Sequence, residues 1–337
     1  MLKGGKVVIT EPLKVEYQEE DFDDSVVPEG SFLLKAHYSF VSPGTERAIF
    51  RGQEGWFRLP GVPGYSCVGE VLKNNGVKGV KEGDLVYTRG SHKQYQFINQ
   101  MMNYTVLPEG IKEEYAGFAR FAAIGATGVR VSHIEFGDDV LVIGAGVIGN
   151  FAAQQAKLQG GNVLIMDLDD KRLEDAKKCG IDHTLNSSDP EGLMEKIQAV
   201  FNGRKPTTVI DATGIPQVID QAIDFAAQRG ELILLGSPRG EYMTNVAHFE
   251  QHIHRFMHLV NVYGAHESWC PFKPMMGVKH SCERNERIAL DFIKSGKIAI
   301  EPLLTYILDP KECVTVYPEL DKNNPAYMGV VFDWTKE

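Results

Sequence analysis

The rhythm of apolar and polar positions changes near residue 117. Before that point, short runs rich in β-branched and aromatic residues are separated by Gly, Pro and Asp. These runs are KVVIT (6–10), SFLLKAHYSFV (31–41), SCVGEVL (66–72), DLVYT (84–88) and NYTVL (103–107), and they predict strands joined by turns. Beyond it, a small-residue helix over 118–131 leads into strands at 140–143, 163–166, 208–211, 232–235 and 259–263. Helices follow the first of these strands and recur near 190–201, 215–228 and 248–257. Such alternation predicts a doubly wound parallel sheet covered by helices. After residue 264 the pattern thins to one helix (283–295) and two strands (303–308 and 328–332). The expected fold class is therefore α/β: a β domain over 1–116, a parallel-sheet domain over 117–264, and a final segment over 265–337.

The run VLVIGAGVIGNFAAQQAKLQGGNVLIMD (140–167) reads as one unit for holding a dinucleotide. Gly144 permits a tight turn, Gly146 a close approach of backbone to pyrophosphate, and Gly149 close packing of helix on sheet. Val147 and Ile148 open the helix, whose free N–H groups and dipole favour an anion. Asp167, 18 residues past Gly149, stands at the spacing of a carboxylate that accepts from the adenosine ribose hydroxyls. A 2′-phosphate would meet repulsion of several kcal/mol there, which favours NAD over NADP. Lys171 and Arg172 follow and soften that preference. Farther along, Thr213 of DATG and Gly236 and Ser237 of LLGS end strands at the carboxyl edge, placing them near a nicotinamide ribose. Gly264, Ala265 and His266 end the last strand and fall beside the nicotinamide ring.

With 337 residues, 43% hydrophobic and 24% charged, the composition is that of a globular chain of about two domains. The net charge of −10 argues against nucleic acid or an anionic membrane surface as a general partner and leaves a small-molecule substrate. The opening MLKGGKVVITEP lacks an apolar stretch of signal-peptide length, and no segment approaches the ~20 apolar residues a membrane span needs, so the expected location is cytoplasmic. Five cysteines, odd in number and widely spaced, fit free thiols.

PGVPGYSCVGEV (60–71), EGDLV (82–86), FGDDVLVIGAG (136–146), DATG (211–214), LLGS (234–237) and YMGVVF (327–332) together make the chain resemble the medium-chain dehydrogenase/reductase superfamily, that of the alcohol, sorbitol and threonine dehydrogenases. The resemblance implies a GroES-like substrate domain over 1–116, a Rossmann NAD-binding domain over 117–264 and a return segment over 265–337 completing the first. It also implies a homodimer or homotetramer. The departure is at the metal. Where the family's catalytic zinc ligands stand, this chain has Ser42 or Pro43, Tyr65 and Ser66, and Arg120 or Phe121. None supplies a thiolate, imidazole or carboxylate. The four-cysteine loop of the structural zinc is also missing, since DLVYTRGSHKQYQF runs directly to the next strand. The expectation is no zinc at either family site.

Without a Lewis acid, the proton of an alcohol oxygen needs a side chain, a contribution of ~10²–10⁴ in rate. Tyr65, Ser42, Thr45, Glu46 and His92 are the candidates, with Glu46 an orienter first. Arg120 either recognises a substrate anion or pairs with Glu46. Three functions compete. The first is a zinc-independent, NAD(H)-linked interconversion of a secondary alcohol and a carbonyl. The similarity of VSPGTE and GYS to the bacteriochlorophyllide hydroxyethyl dehydrogenase group and to relatives of sugar and polyol dehydrogenases suggests a polyol or sugar-derived substrate. The second is reduction of a quinone or enone, and the third is NAD(H) binding without catalysis. In HFEQHIHRFMH, His248/His252 and His254/His258 are spaced i, i+4, as in metal-binding helices, but the sequence shows no third ligand. A partly exposed helix leading into the strand at 259 is the plainer account.

Overall fold

The computed structural model describes residues 1–336. Two compact units emerge among the described residues: 1–120 with 272–296 and 303–336, and 121–271 with 297–302.

In the first unit, β1 (Leu2–Glu11) and β2 (Lys14–Phe22) form an antiparallel hairpin. There follow β3 (Ser31–Phe40), α1 (Pro43–Phe50), β4 (Cys67–Asn75), β5 (Leu85–Thr88), β6 (Tyr95–Asn99), β7 (Tyr104–Val106) and α2 (Glu113–Ala116). β3 is the hub, pairing with β4 on one side while β6 also bonds to it. Its period-two pattern sends Phe32, Leu34 and Ala36 into the main core with Val71, Val86 and Ile98, and sends Leu33 to a smaller cluster with Phe22 and Tyr95.

The second unit carries most of α3 (Ala119–Val131), then β8 (Asp139–Ile143), α4 (Val147–Leu158), β9 (Asn162–Asp167), α5 (Asp170–Lys178), β10 (His183–Asn186), α6 (Leu193–Val200), β11 (Thr208–Asp211), α7 (Pro216–Phe225), β12 (Glu231–Leu234), α8 (Val246–His254) and β13 (Asn261–Gly264). The six strands are parallel in the order β10-β9-β8-β11-β12-β13. Alternate side chains of the strands feed two separate cores, Val140, Val142 and Ile210 on one face and Leu141, Ile143 and Val209 on the other. The order reverses at the β8/β11 pair, the switch point where an open sheet of this kind leaves a crevice for a ligand.

The chain then returns to the first unit through α9 (Cys282–Lys294), β14 (Tyr306–Leu308), α10 (Cys313–Asp321) and β15 (Val330–Asp333), which pairs antiparallel with β3. The fold is thus a GroES-like β domain plus a Rossmann domain.

The boundaries differ from 116/117 and 264/265. Residues 297–302 belong to the second unit because the Gln154 amide clamps Ala299, accepting from its N–H at 2.7 Å and donating to its carbonyl at 3.2 Å. The patterning missed several elements. In β2 only Val15 and Phe22 are buried amid charged residues, α5 is largely polar with Leu173 and Ala176 turned inward, and β10 has no fully buried residue. α10 opens with β-branched residues and contains Pro318, both contrary to helix propensity, yet it buries Val316, Tyr317 and Leu320. Among the described residues no helix is long and apolar enough to cross a membrane.

Candidate active site

Parallel register brings the ends of β8, β9, β11, β12 and β13 to one edge, with Ile143 opposite Met166 and Asp211, and Leu234 opposite Gly264. Gly144 turns the chain at φ 98°, and its N–H donates to Met166. A Cβ at Gly149 would lie 1.8 Å from the Gly144 carbonyl oxygen, so only glycine lets α4 come this close. Gly146 differs: it caps α4 with no side-chain bond, and a Cβ there would meet open space. Buried Val147 and half-buried Ile148 anchor the helix, so what they can offer a ligand is backbone N–H.

Asp167 braces this turn. One carboxylate oxygen accepts from Ala145 N–H at 2.7 Å and the other from Asp169 N–H at 3.1 Å, with the Arg172 guanidinium 3.8 Å away. Two acceptor positions per oxygen leave capacity for a ribose diol.

Asp211, fully buried, accepts from Thr213 N–H, from the Thr213 hydroxyl at 2.6 Å and from Gly214 N–H. Burial pushes its carboxyl above the ordinary range, and these bonds pull it back. Because the Thr213 hydroxyl also accepts from Ile215 N–H, it is largely committed to the turn. A Cβ on Gly236 would strike Gly214 N at 2.1 Å, so these two loops pack backbone to backbone. Gly236, Ser237, Gly264 and His266, with Trp269, line an open cavity of about 490 Å³. Exposed His266 bonds through Nδ1 to Ser268.

The first unit holds a polar cluster at the start of α1. Ser42 is the N-cap, Pro43 fixes the first helical position, and the Ser42 hydroxyl caps no backbone N–H. It instead accepts from the Tyr65 hydroxyl, which also lies 3.3 Å from Thr45 Oγ1. The Arg120 guanidinium carbon sits 5.2 Å from the Tyr65 ring centroid. Burial raises the Tyr65 phenol above its ordinary value, while Arg120 and the Ser42 bond oppose the rise.

Glu46 is completely buried. It accepts from Ser42 N–H (2.7 Å), Tyr317 hydroxyl (2.5 Å) and His92 Nε2 (3.0 Å). His92 is likewise buried, its Nδ1 2.7 Å from Ser39 Oγ, which also accepts from Trp334 Nε1. Both ring nitrogens are engaged inside the protein, so His92 and Glu46 form an internal brace behind Ser42. Arg120 does not pair with Glu46.

Ser42, Tyr65 and Arg120 therefore meet in space. Ser66 donates to the Gly117 carbonyl instead, and Phe121 is buried in the second unit. Sequence reasoning missed the neighbouring ion cluster. Glu286, 1% exposed, takes Arg89 at 2.6 Å and Asn103 at 3.2 Å, with Arg120 at 3.8 Å, while Arg89 stacks on Phe272. Arg89 and Glu286 are 197 residues apart, and no local motif announces their pairing.

A GroES-like unit and a Rossmann unit with a glycine turn at its switch point make up the fold of the medium-chain dehydrogenases/reductases, and the chain is similar to that superfamily in sequence as well. A family profile described as zinc-binding dehydrogenase matches residues 147–268. D-xylulose reductase of Scheffersomyces stipitis is 26% identical over 214 residues, 63% of this chain and 55% of that protein, so the chain spans about half the length of such curated relatives. Two solved structures share the fold. An alcohol dehydrogenase of Escherichia coli CFT073 complexed with NADH has a TM-score of 0.78 at 21% identity over 98% of this chain and 99% of the other. A dehydrogenase of Sinorhizobium meliloti 1021 bound to NADP has a TM-score of 0.80 at 17% identity over 99% and 100%.

Proposed function

We propose that this protein is a zinc-independent, NAD(H)-linked oxidoreductase that interconverts a secondary alcohol of the polyol or sugar-derived class and its carbonyl. The observation that carries the reading is the Ser42–Tyr65–Arg120 cluster. A hydroxyl, a phenol and a guanidinium stand where thiolate, imidazole or carboxylate ligands are needed, and this donor set does not fit a zinc ion. It fits proton transfer.

The glycine turn and α4 N-terminus would take the pyrophosphate, Asp167 the adenosine ribose, and the edge at Gly236, Ser237, Gly264 and His266 the nicotinamide end. When bound, the nicotinamide supplies or accepts a hydride. Tyr65 exchanges the proton of the substrate oxygen, and Ser42 and Thr45 hold the phenol in place. Arg120 lowers the cost of the phenolate. Glu46, His92 and Tyr317 act as positioning residues that fix the backbone of Ser42. The likeness to D-xylulose reductase supports the substrate class, and Asp167 supports NAD, because solved relatives of this fold hold either coenzyme.

The test is turnover of a polyol panel with NAD by chelator-treated, zinc-free protein. Retained activity is expected. Activity lost on chelation and restored by zinc overturns the mechanism, and turnover restricted to enones with NADPH overturns the reaction class.

A further inference from the structure

The histidine-rich segment is not absorbed by this reading, and the structure supplies what its sequence lacked. Asp224, near the end of α7, faces His248 and His252 on α8, and one ligand atom from each lies within 4.8 Å of the others. His252 Nε2 is 2.9 Å from one Asp224 oxygen and His248 Nε2 is 3.5 Å from the other. Donor atoms around one tetrahedral ion with bonds of ~2.1 Å stand about 3.4 Å apart, close to the His248 contact, and the His252 contact would open by about half an ångström to admit one.

The second observation concerns the ring proton. His252 Nδ1 lies 3.1 Å from the His248 carbonyl oxygen, which can only accept, so Nδ1 is the donor of that bond. Nε2, the nitrogen turned toward Asp224, is then the one that can hold an ion in place of a proton. A ligating histidine whose other N–H donates to a backbone carbonyl is the usual support of a metal site. His254 and His258 do not pair as expected, because α8 ends at His254. His258 instead packs its ring on His252, centroids 4.5 Å apart. Lys205, a neighbouring cation, donates to the Asp224 backbone carbonyl at 2.7 Å.

We infer that Asp224, His248 and His252 form a binding site for a borderline divalent metal ion of the zinc class, with water completing the shell. Two imidazoles and one carboxylate select such an ion over calcium or magnesium. α8 has no fully buried residue, so an ion bridging it to α7 would clamp a helix that packing holds weakly.

The test uses tag-free, full-length protein stripped of metal and titrated with Co²⁺. One equivalent should bind with visible d–d absorption that Zn²⁺ displaces. His248→Ala and His252→Ala should each weaken binding by more than the roughly 10–100-fold that losing an outer partner costs. The proposed NADH affinity should stay unchanged in both, and for His248→Ala, whose side chain is 41% exposed, so should the metal-free unfolding temperature. Asp224→Asn should weaken binding while keeping the shape. Failure to bind Co²⁺ at micromolar concentration, or unaltered binding in both histidine variants, overturns the site. Neither result depends on whether the protein turns over a polyol.

Discussion

The guanidinium carbon of Arg120 lies 5.2 Å from the centre of the Tyr65 ring. Burial drives this phenol upward and the Arg120 cation restrains it. Tyr65→Phe should lower kcat about 10²–10⁴-fold with little change in unfolding temperature. Alcohol oxidation needs the phenolate, so kcat/KM should rise with pH toward the Tyr65 value. Arg120→Met removes the restraint and should move that limb to higher pH. A profile that is the same in wild type, Tyr65→Phe and Arg120→Met would remove Tyr65 as the proton-transfer group.

Gly146 and Gly149 should separate folding from coenzyme binding. Space around Gly146 is open, so Gly146→Ala should keep the unfolding temperature while weakening NADH binding at least about tenfold, because its methyl group would occupy the pyrophosphate's approach. Gly149→Ala drives a methyl into the Gly144 carbonyl and should lose both. Fluorescence titration with NADH beside thermal unfolding reads the difference.

Asp167 sets coenzyme choice by charge. Asp167→Asn should raise the ratio of kcat/KM with NADPH to that with NADH by at least about tenfold, since repulsion of the 2′-phosphate falls while Arg172 stays at hand. An unchanged ratio in steady-state kinetics would place the discrimination elsewhere.

Glu46→Ala strips the acceptor from Ser42 N–H, His92 and the Tyr317 hydroxyl inside a fully buried pocket. Breaking a buried, hydrogen-bonded charge costs about 3–5 kcal/mol, and urea unfolding should show a loss of that order. Because Ser42 is then no longer fixed, kcat should fall along with stability.

All five cysteines are buried, and burial pushes the Cys179 and Cys313 thiols up to about 12 and Cys67 higher still. Thiolate is the reactive form, so the native protein at pH 8 should resist a disulfide reagent and yield five thiols only after denaturation. Rapid modification of the native chain would contradict this packing.

The parts legible in the sequence are those made by neighbours along the chain. Glycines 144, 146 and 149, the apolar strands beside them and Asp167 each act within one strand–turn–helix unit, so the parallel sheet and its glycine turn follow from local chemistry. β2, α5 and α10 were not legible. Their apolar faces are two to four residues wide, and only packing against an existing core selects them over solvent.

The amino-acid order therefore determined the two architectures and the type of side chain available at Ser42, Tyr65 and Arg120. Tertiary structure alone decided that Tyr65 is bonded to Ser42 and covered by Arg120, that His92 is sealed against Glu46 and Tyr317, and that Asp224 completes a ligand set with His248 and His252. Those relationships join residues up to 271 positions apart. Their energies depend on distance, burial and orientation in space, none of which the linear spacing of the chain encodes.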